Sequence, residues 1–151
     1  MKLQSDNMKL SEKTIALLKN FSSINQSILF KKGNVLRTMS VMKNILAEVD
    51  IEECFPQDFA IYDLVQFLNG ISLYSDPDLD FENESHLTIR EGRNHRTKYF
   101  FADPSVIVAP PEKSLTLPSE DVSFTIDTNN LTQLLKAAAI YQLSDLSVVG
   151  S

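Results

Sequence analysis

Between Leu10 and Phe21 the apolar positions recur at helical spacing. On a wheel of about 100° per residue, Leu10, Thr14, Leu17, Leu18 and Phe21 share one side, and Glu12, Ala16, Lys19 and Ser23 lie opposite with Lys13 and Asn20 flanking them. The pattern predicts a short amphipathic helix capped by Ser11, with Thr14 at the third position where a glutamate is usual. The period then changes to two. Ser27 to Lys32 and Val35 to Ser40, separated by Gly33-Asn34, predict a hairpin, followed by strands around Leu46 to Ile51 and Phe59 to Tyr62. Asp63 stands where a cap belongs for a second helix, Leu64 to about Tyr74, with Leu64, Phe67, Leu68 and Ile71 as its buried stripe and Gln66, Asn69 and Gly70 pointing away. Further strands are expected at Leu79 to Glu82, His86 to Glu91 and His95 to Phe101, the last two joined by Gly92-Arg93-Asn94. Residues 103–119 carry four prolines, which disfavours helix and central strand and predicts an extended connector between two domains. Beyond it, Val122 to Ile126 predicts a strand. Asp127-Thr128 then caps a third helix to about Tyr141, in which Leu131, Leu134, Leu135 and Ala138 are buried and Gln133 and Lys136 point out.

The third helix overlays the first without a gap at a shift of 117 residues: Ser11 meets Thr128, Leu17-Leu18-Lys19 meets Leu134-Leu135-Lys136, Ser27 meets Ser144 and Gly33 meets Gly150. Helix, turn and strand recur in the same order, as in a duplicated domain. The expected organisation is a disordered extension over 1–7, a domain over 8–102, the connector over 103–119, and the incomplete start of a second copy over 120–151. On this reading the chain is a fragment, in which a last strand, Leu146 to Val149, lacks sheet partners and the third helix buries its stripe incompletely.

Charge sharpens the picture. The chain of 151 residues has a net charge of -6, yet residues 1–43 hold eight bases and two acids, while 44–85 hold eleven acids and no base. Inside that acidic third, Leu64 to Ser75 carries no charge of either sign. Such polarity suits a polyanion meeting one surface while the acidic surface keeps the rest soluble. No apolar run approaches the roughly 18 residues of a membrane span, and the N-terminus lacks the apolar core of a signal peptide, so no membrane partner and a cytoplasmic location are expected. A lone cysteine, Cys54, excludes an internal disulfide and is expected as a small buried residue.

Most signals for chemistry fail. The alternation Asp76, Asp78, Asp80, Glu82, Glu84 suggests a calcium loop, but Phe81 occupies the required glycine position and Leu87 that of the bidentate glutamate. His86 and His95 have no third ligand at suitable spacing, and there is no glycine-rich phosphate loop, so no metal, no cofactor and no enzymatic activity are expected. Arg90, Arg93, Arg96 and Lys98 form a basic cluster on an expected hairpin. The aromatic run Tyr99-Phe100-Phe101 is expected to pack in the core, with Tyr99 and Phe101 as subunit-interface candidates in the second place.

The segments MKLSEKTIALLKNFSSIN, DFAIYDLVQFLNGISLY, FADPSVIVAPPEK and LTQLLKAAA together resemble the DNA polymerase sliding clamps of T-even-type bacteriophages, over nearly the whole chain from Met8. The resemblance implies an α+β clamp fold with antiparallel sheets outside and short helices on one face. It also implies a homotrimeric ring around double-stranded DNA that tethers the replicative polymerase and is opened by an ATP-dependent clamp loader, in the cytoplasm of an infected bacterial host. Residues implied to face DNA are Lys9, Lys13, Lys19, Gln66, Asn69, Gln133 and Lys136, a sparse set in which neutral side chains separate the cations. A sliding ring needs weak phosphate contacts and no base readout, which would pin it to one sequence. Partner tails are implied beside the connector, at Val106, Val108, Leu115 and Leu117. The rival reading is a protein-binding adaptor that never encircles DNA.

Overall fold

A computed structural model describes residues 7–150. The chain divides into two units, the first running to Glu112 and the second beginning at Lys113.

The first unit is α+β. Strand β1 (Asn7–Met8) leads into helix α1 (Glu12–Ser22), then β2 (Ile28–Phe30), β3 (Gly33–Met39), β4 (Leu46–Phe55), β5 (Phe59–Ile61), α2 (Leu64–Ser72), β6 (Asp78–Asp80), β7 (His86–Glu91) and β8 (His95–Phe100). All pairings are antiparallel: a four-stranded sheet in the order β1-β6-β7-β8, and the two-stranded pairs β2-β5 and β3-β4. Asn7 pairs with Asp80, so regular structure begins inside the expected extension, whose residues 1–6 lie outside the described ones.

Both helices start where their caps predict. The Ser11 hydroxyl accepts from the Thr14 amide, and the Asp63 carboxylate accepts from the Gln66 amide. The predicted stripe of α2 is buried in full, as are Thr14, Leu18 and Phe21 of α1. These residues cover a core in which Phe30 stacks on Phe59 at 4.4 Å between ring centres and Phe55 meets both edge-on. Each buried phenylalanine or leucine stabilises by about 2 kcal/mol relative to exposure.

The Gly33-Asn34 hairpin does not form. Strand β2 pairs with β5, and the true hairpin is β3-β4, closed by residues 40–45. Two interactions decide this. Phe30 and Phe59 lie opposite each other in register, and Asp58 takes hydrogen bonds from the Lys32 amide (2.7 Å) and the Lys31 ammonium (3.1 Å), fixing the chain as it leaves β2. Gly33, at φ 117°, sits instead at a register break against β4, a use of glycine that asks for the same backbone freedom as a turn. Cys54 is exposed, because the inward positions of β4 are Ile51 and Phe55 and its neighbour Cys54 falls on the other face.

The connector is not uniform. Residues 103–112 belong to the first unit. A 3-10 turn at Pro104–Val106 is followed by buried Ile107. The buried Asn25 amide donates to the carbonyls of Met39 (2.9 Å) and Val108 (3.2 Å), and Arg37 donates to the carbonyl of Pro111 (2.7 Å). In the second unit the regular element is α3 (Thr128–Ile140), capped by Asp127 rather than by Thr128, the residue the repeat aligned with Ser11. Val122 to Ile126 and Leu146 to Val149 make no strand pairing among the described residues. The stripe expected on α3 is largely uncovered: Leu131, Leu134 and Leu135 are exposed and Ala138 is half-buried.

Candidate nucleic-acid interface

Helices α1 and α2 lie side by side across the core, joined by Leu18, Phe21, Leu64, Phe67 and Leu68. Burying these stripes leaves the polar faces outward. Lys13, Ala16, Lys19 and Asn20 of α1 are exposed, as are Gln66 and Asn69 of α2. Lys19 and Asn69 line one groove between the helices, with a volume of about 310 Å³.

The start of α1 is held by a residue the sequence pattern did not single out. Glu53, on β4, accepts from the Ser11 backbone amide and from the Thr14 hydroxyl at 2.7 Å. A capping-box glutamate normally reaches back to that same amide from within its own helix; here the side chain arrives from a strand some forty residues away. Burial pushes the Glu53 carboxyl up, but the hydrogen bonds from Ser11 and Thr14 outweigh it and hold it below the ordinary glutamate range.

Lys9 does not share the situation of Lys13 and Lys19. Its ammonium reaches the Asp76 carboxylate at 2.7 Å, the Asp76 carbonyl at 3.0 Å and Asp78 at 3.6 Å. The hydrogen bond to Asp76 is the main reason its pKa is raised. Such an exposed pair is weak, so Lys9 meets a phosphate only after leaving these carboxylates, at a small cost. The Asp76 loop is itself anchored, since Glu91 accepts from the amides of Ser75 and Asp76. Asp80 is buried and meets Arg90 at 3.3 Å, removing Arg90 from the free basic cluster. Asp76, Asp78 and Asp80 of the alternating acids therefore pair with cations, and no cluster of three or more residues suited to holding a metal occurs among the described residues.

Glu12 and Asp76 line the same groove as Lys19, so carboxylates stand beside that lysine, whereas the outward face of α2 carries none. Tyr99 and Phe101 pack within the unit, as the first of their two readings expects: the Tyr99 hydroxyl donates to the Gln66 side-chain oxygen at 3.0 Å while its ring meets Phe67 edge-on, and Phe101 packs on Phe59. Burial and the nearby Asp63 push the Tyr99 hydroxyl pKa up, which keeps it a donor. The exposed aromatic of this run is Phe100, beside His86.

Gln133 and Lys136 are exposed on α3 in the second unit. Of the expected partner residues, Val106 is exposed and Val108 half-buried in the first unit, and Leu115 and Leu117 are exposed in the second. Sequence reasoning missed the exposed Val41, Met42 and Ile45 at the β3-β4 turn; an apolar run broken by Lys43-Asn44 was the available signal.

Residues 9–109 match the family model described as DNA polymerase processivity factor. Three curated relatives, each named sliding clamp, align over 93% of this chain. They come from Vibrio phage KVP40 (33% identical, 64% of the relative covered), Escherichia phage RB69 (36%, 61%) and Enterobacteria phage T4 (35%, 61%). The chain thus spans about three fifths of the length of the curated relatives it matches.

Proposed function

The chain belongs to the DNA polymerase processivity factor family, and from that premise we propose that it acts as a sliding-clamp subunit, holding a replicative polymerase to duplex DNA by encircling the duplex without catalysing a reaction. The observation that carries the proposal is the pair α1-α2: two packed helices whose exposed faces offer Lys13 and Lys19 with neutral Asn69 alongside, and no charge on α2 at all. Two or three cations per subunit attract phosphates weakly, and without base-edge contacts the contacts re-form at every step along the duplex. Lys9 contributes less to this role than Lys13 and Lys19, being paired with Asp76 and Asp78, and Gln66 also serves as the acceptor for Tyr99. Gln133 and Lys136, exposed on α3, would take the same role in the second unit. A trimeric ring, an ATP-dependent loader and partner tails at Val106, Val108, Leu115, Leu117 and the β3-β4 turn complete the proposal.

Retention on nicked circular DNA after incubation with loader and ATP, compared with the same DNA linearised, tests it. The clamp reading expects retention on the circle alone, weakened by Lys13→Glu with Lys19→Glu, and more sensitive to salt in the unsubstituted chain than in that variant. Retention untouched by the double substitution overturns the DNA-facing role. Polymerase binding that never distinguishes circle from line makes the protein an adaptor.

A further inference from the structure

Two hydroxyls on one face of β8, Thr97 and Tyr99, hold the two ends of α2. Just beyond the last turn of the helix, the Tyr74 and Thr97 hydroxyls lie 2.7 Å apart. At the first turn, the Tyr99 hydroxyl reaches the Gln66 side-chain oxygen at 3.0 Å and the Asp63 carbonyl at 3.3 Å. The Gln66 backbone amide in turn donates to the Asp63 carboxylate at 2.9 Å. This glutamine is therefore held at its backbone and at the tip of its side chain, although the residue is exposed.

A primary amide offers two N–H donors and one oxygen acceptor, and only the donors suit a phosphate. Because the Gln66 oxygen is turned to the phenol, the amide nitrogen is left for other partners, and it has none among the described residues. Burial and Asp63 raise the Tyr99 pKa, so the phenol stays protonated, and a donor, at neutral pH. The shallow hollow beside it is bordered by Asp63 and Lys98, one charge of each sign, so no net charge there opposes an anion. We infer, on the clamp reading above, that Tyr99 is a positioning residue: it turns the Gln66 amide so that its nitrogen donates to a phosphate oxygen of the duplex, a neutral contact added to those of Lys13 and Lys19. A side chain already held in place has less freedom to lose on meeting a phosphate than a loose one. A neutral donor also strengthens the contact without displacing counterions.

The test is the affinity of the whole chain for a short fluorescent duplex, read by anisotropy from low salt upward, with circular dichroism confirming that each variant stays folded. Tyr99→Phe, which keeps the ring against Phe67 and removes only the hydroxyl, should weaken binding about threefold, the size of one neutral hydrogen bond. Gln66→Ala should weaken it as much, and adding Tyr99→Phe to Gln66→Ala should change nothing further. The slope of log affinity against log salt should be the same in all three, whereas Lys13→Glu with Lys19→Glu flattens it. If the lysine pair weakens binding and Tyr99→Phe does not, or if the Tyr99 and Gln66 losses multiply, the inference falls and the clamp reading stands. A duplex that does not bind at low salt overturns the inference, and binding that none of these substitutions weakens overturns the DNA-facing role of α1 and α2 with it.

Discussion

Glu53 illustrates how much one side chain contributes when its partners come from another element. It occupies the amide at the head of α1 that no residue of that helix reaches, and it fastens β4 to the helix in the same contact. A carboxyl held below its ordinary value takes its proton later in the folded state than in the unfolded chain. The stability it supplies is therefore complete above the ordinary glutamate value of 4.5 and is lost as pH falls through the lower folded value. Glu53→Ala should cost about 1 kcal/mol at neutral pH, the usual size of a lost helix cap. Denaturant titrations should show that difference shrinking in acid; curves that stay parallel would mean Glu53 acts through packing alone. Neither Glu53 nor the Lys9-Asp76 pair was legible in the sequence, because long-range pairing of exposed charges leaves no periodic trace. Lys13 and Lys19 were legible, because a helix wheel fixes which side is out.

At the scale of elements, what could be foreseen was what local chemistry decides. Caps and three-four spacing located α1 and α2 to within a residue or two, together with the buried stripe of α2. Strand existence was foreseen and strand pairing was not: the Gly33-Asn34 turn signal lost to the match of Phe30 with Phe59, a contact that alternation along the chain cannot reveal. The wheel on α3 meets a related limit. An apolar stripe states what a helix is able to bury, and burial also needs a facing surface. The two helices should differ accordingly under thermal unfolding. Leu18→Ala, at a site with no solvent exposure, should lower stability by about 3 kcal/mol. Leu135→Ala, at 60% exposure, should change it by less than about 0.5 kcal/mol. Equal losses would show that α3 is buried in solution.

Across the molecule, the acidic run of 44–85 turns out to be several small tasks in succession. Asp58 fixes a turn, Asp63 caps α2, Asp76 and Asp78 hold Lys9, Asp80 holds Arg90, and the outward acids of β4 line an open edge. Sequence polarity survives folding as polarity of surfaces: α1 keeps free lysines, α2 is neutral and β4 is acidic. The strap that follows β8 is divided in a comparable way. Asn25 and Arg37 clasp it as far as Pro111, whereas every residue from 111 to 127 is exposed and lacks helix or strand. A protease must thread about ten extended residues through its active site, which the clasped half refuses and the free half allows. Brief digestion with trypsin should therefore cut first after Lys113, and mass spectrometry should recover a long-lived N-terminal product ending there. The grip of one asparagine and one arginine would then set where this chain naturally comes apart.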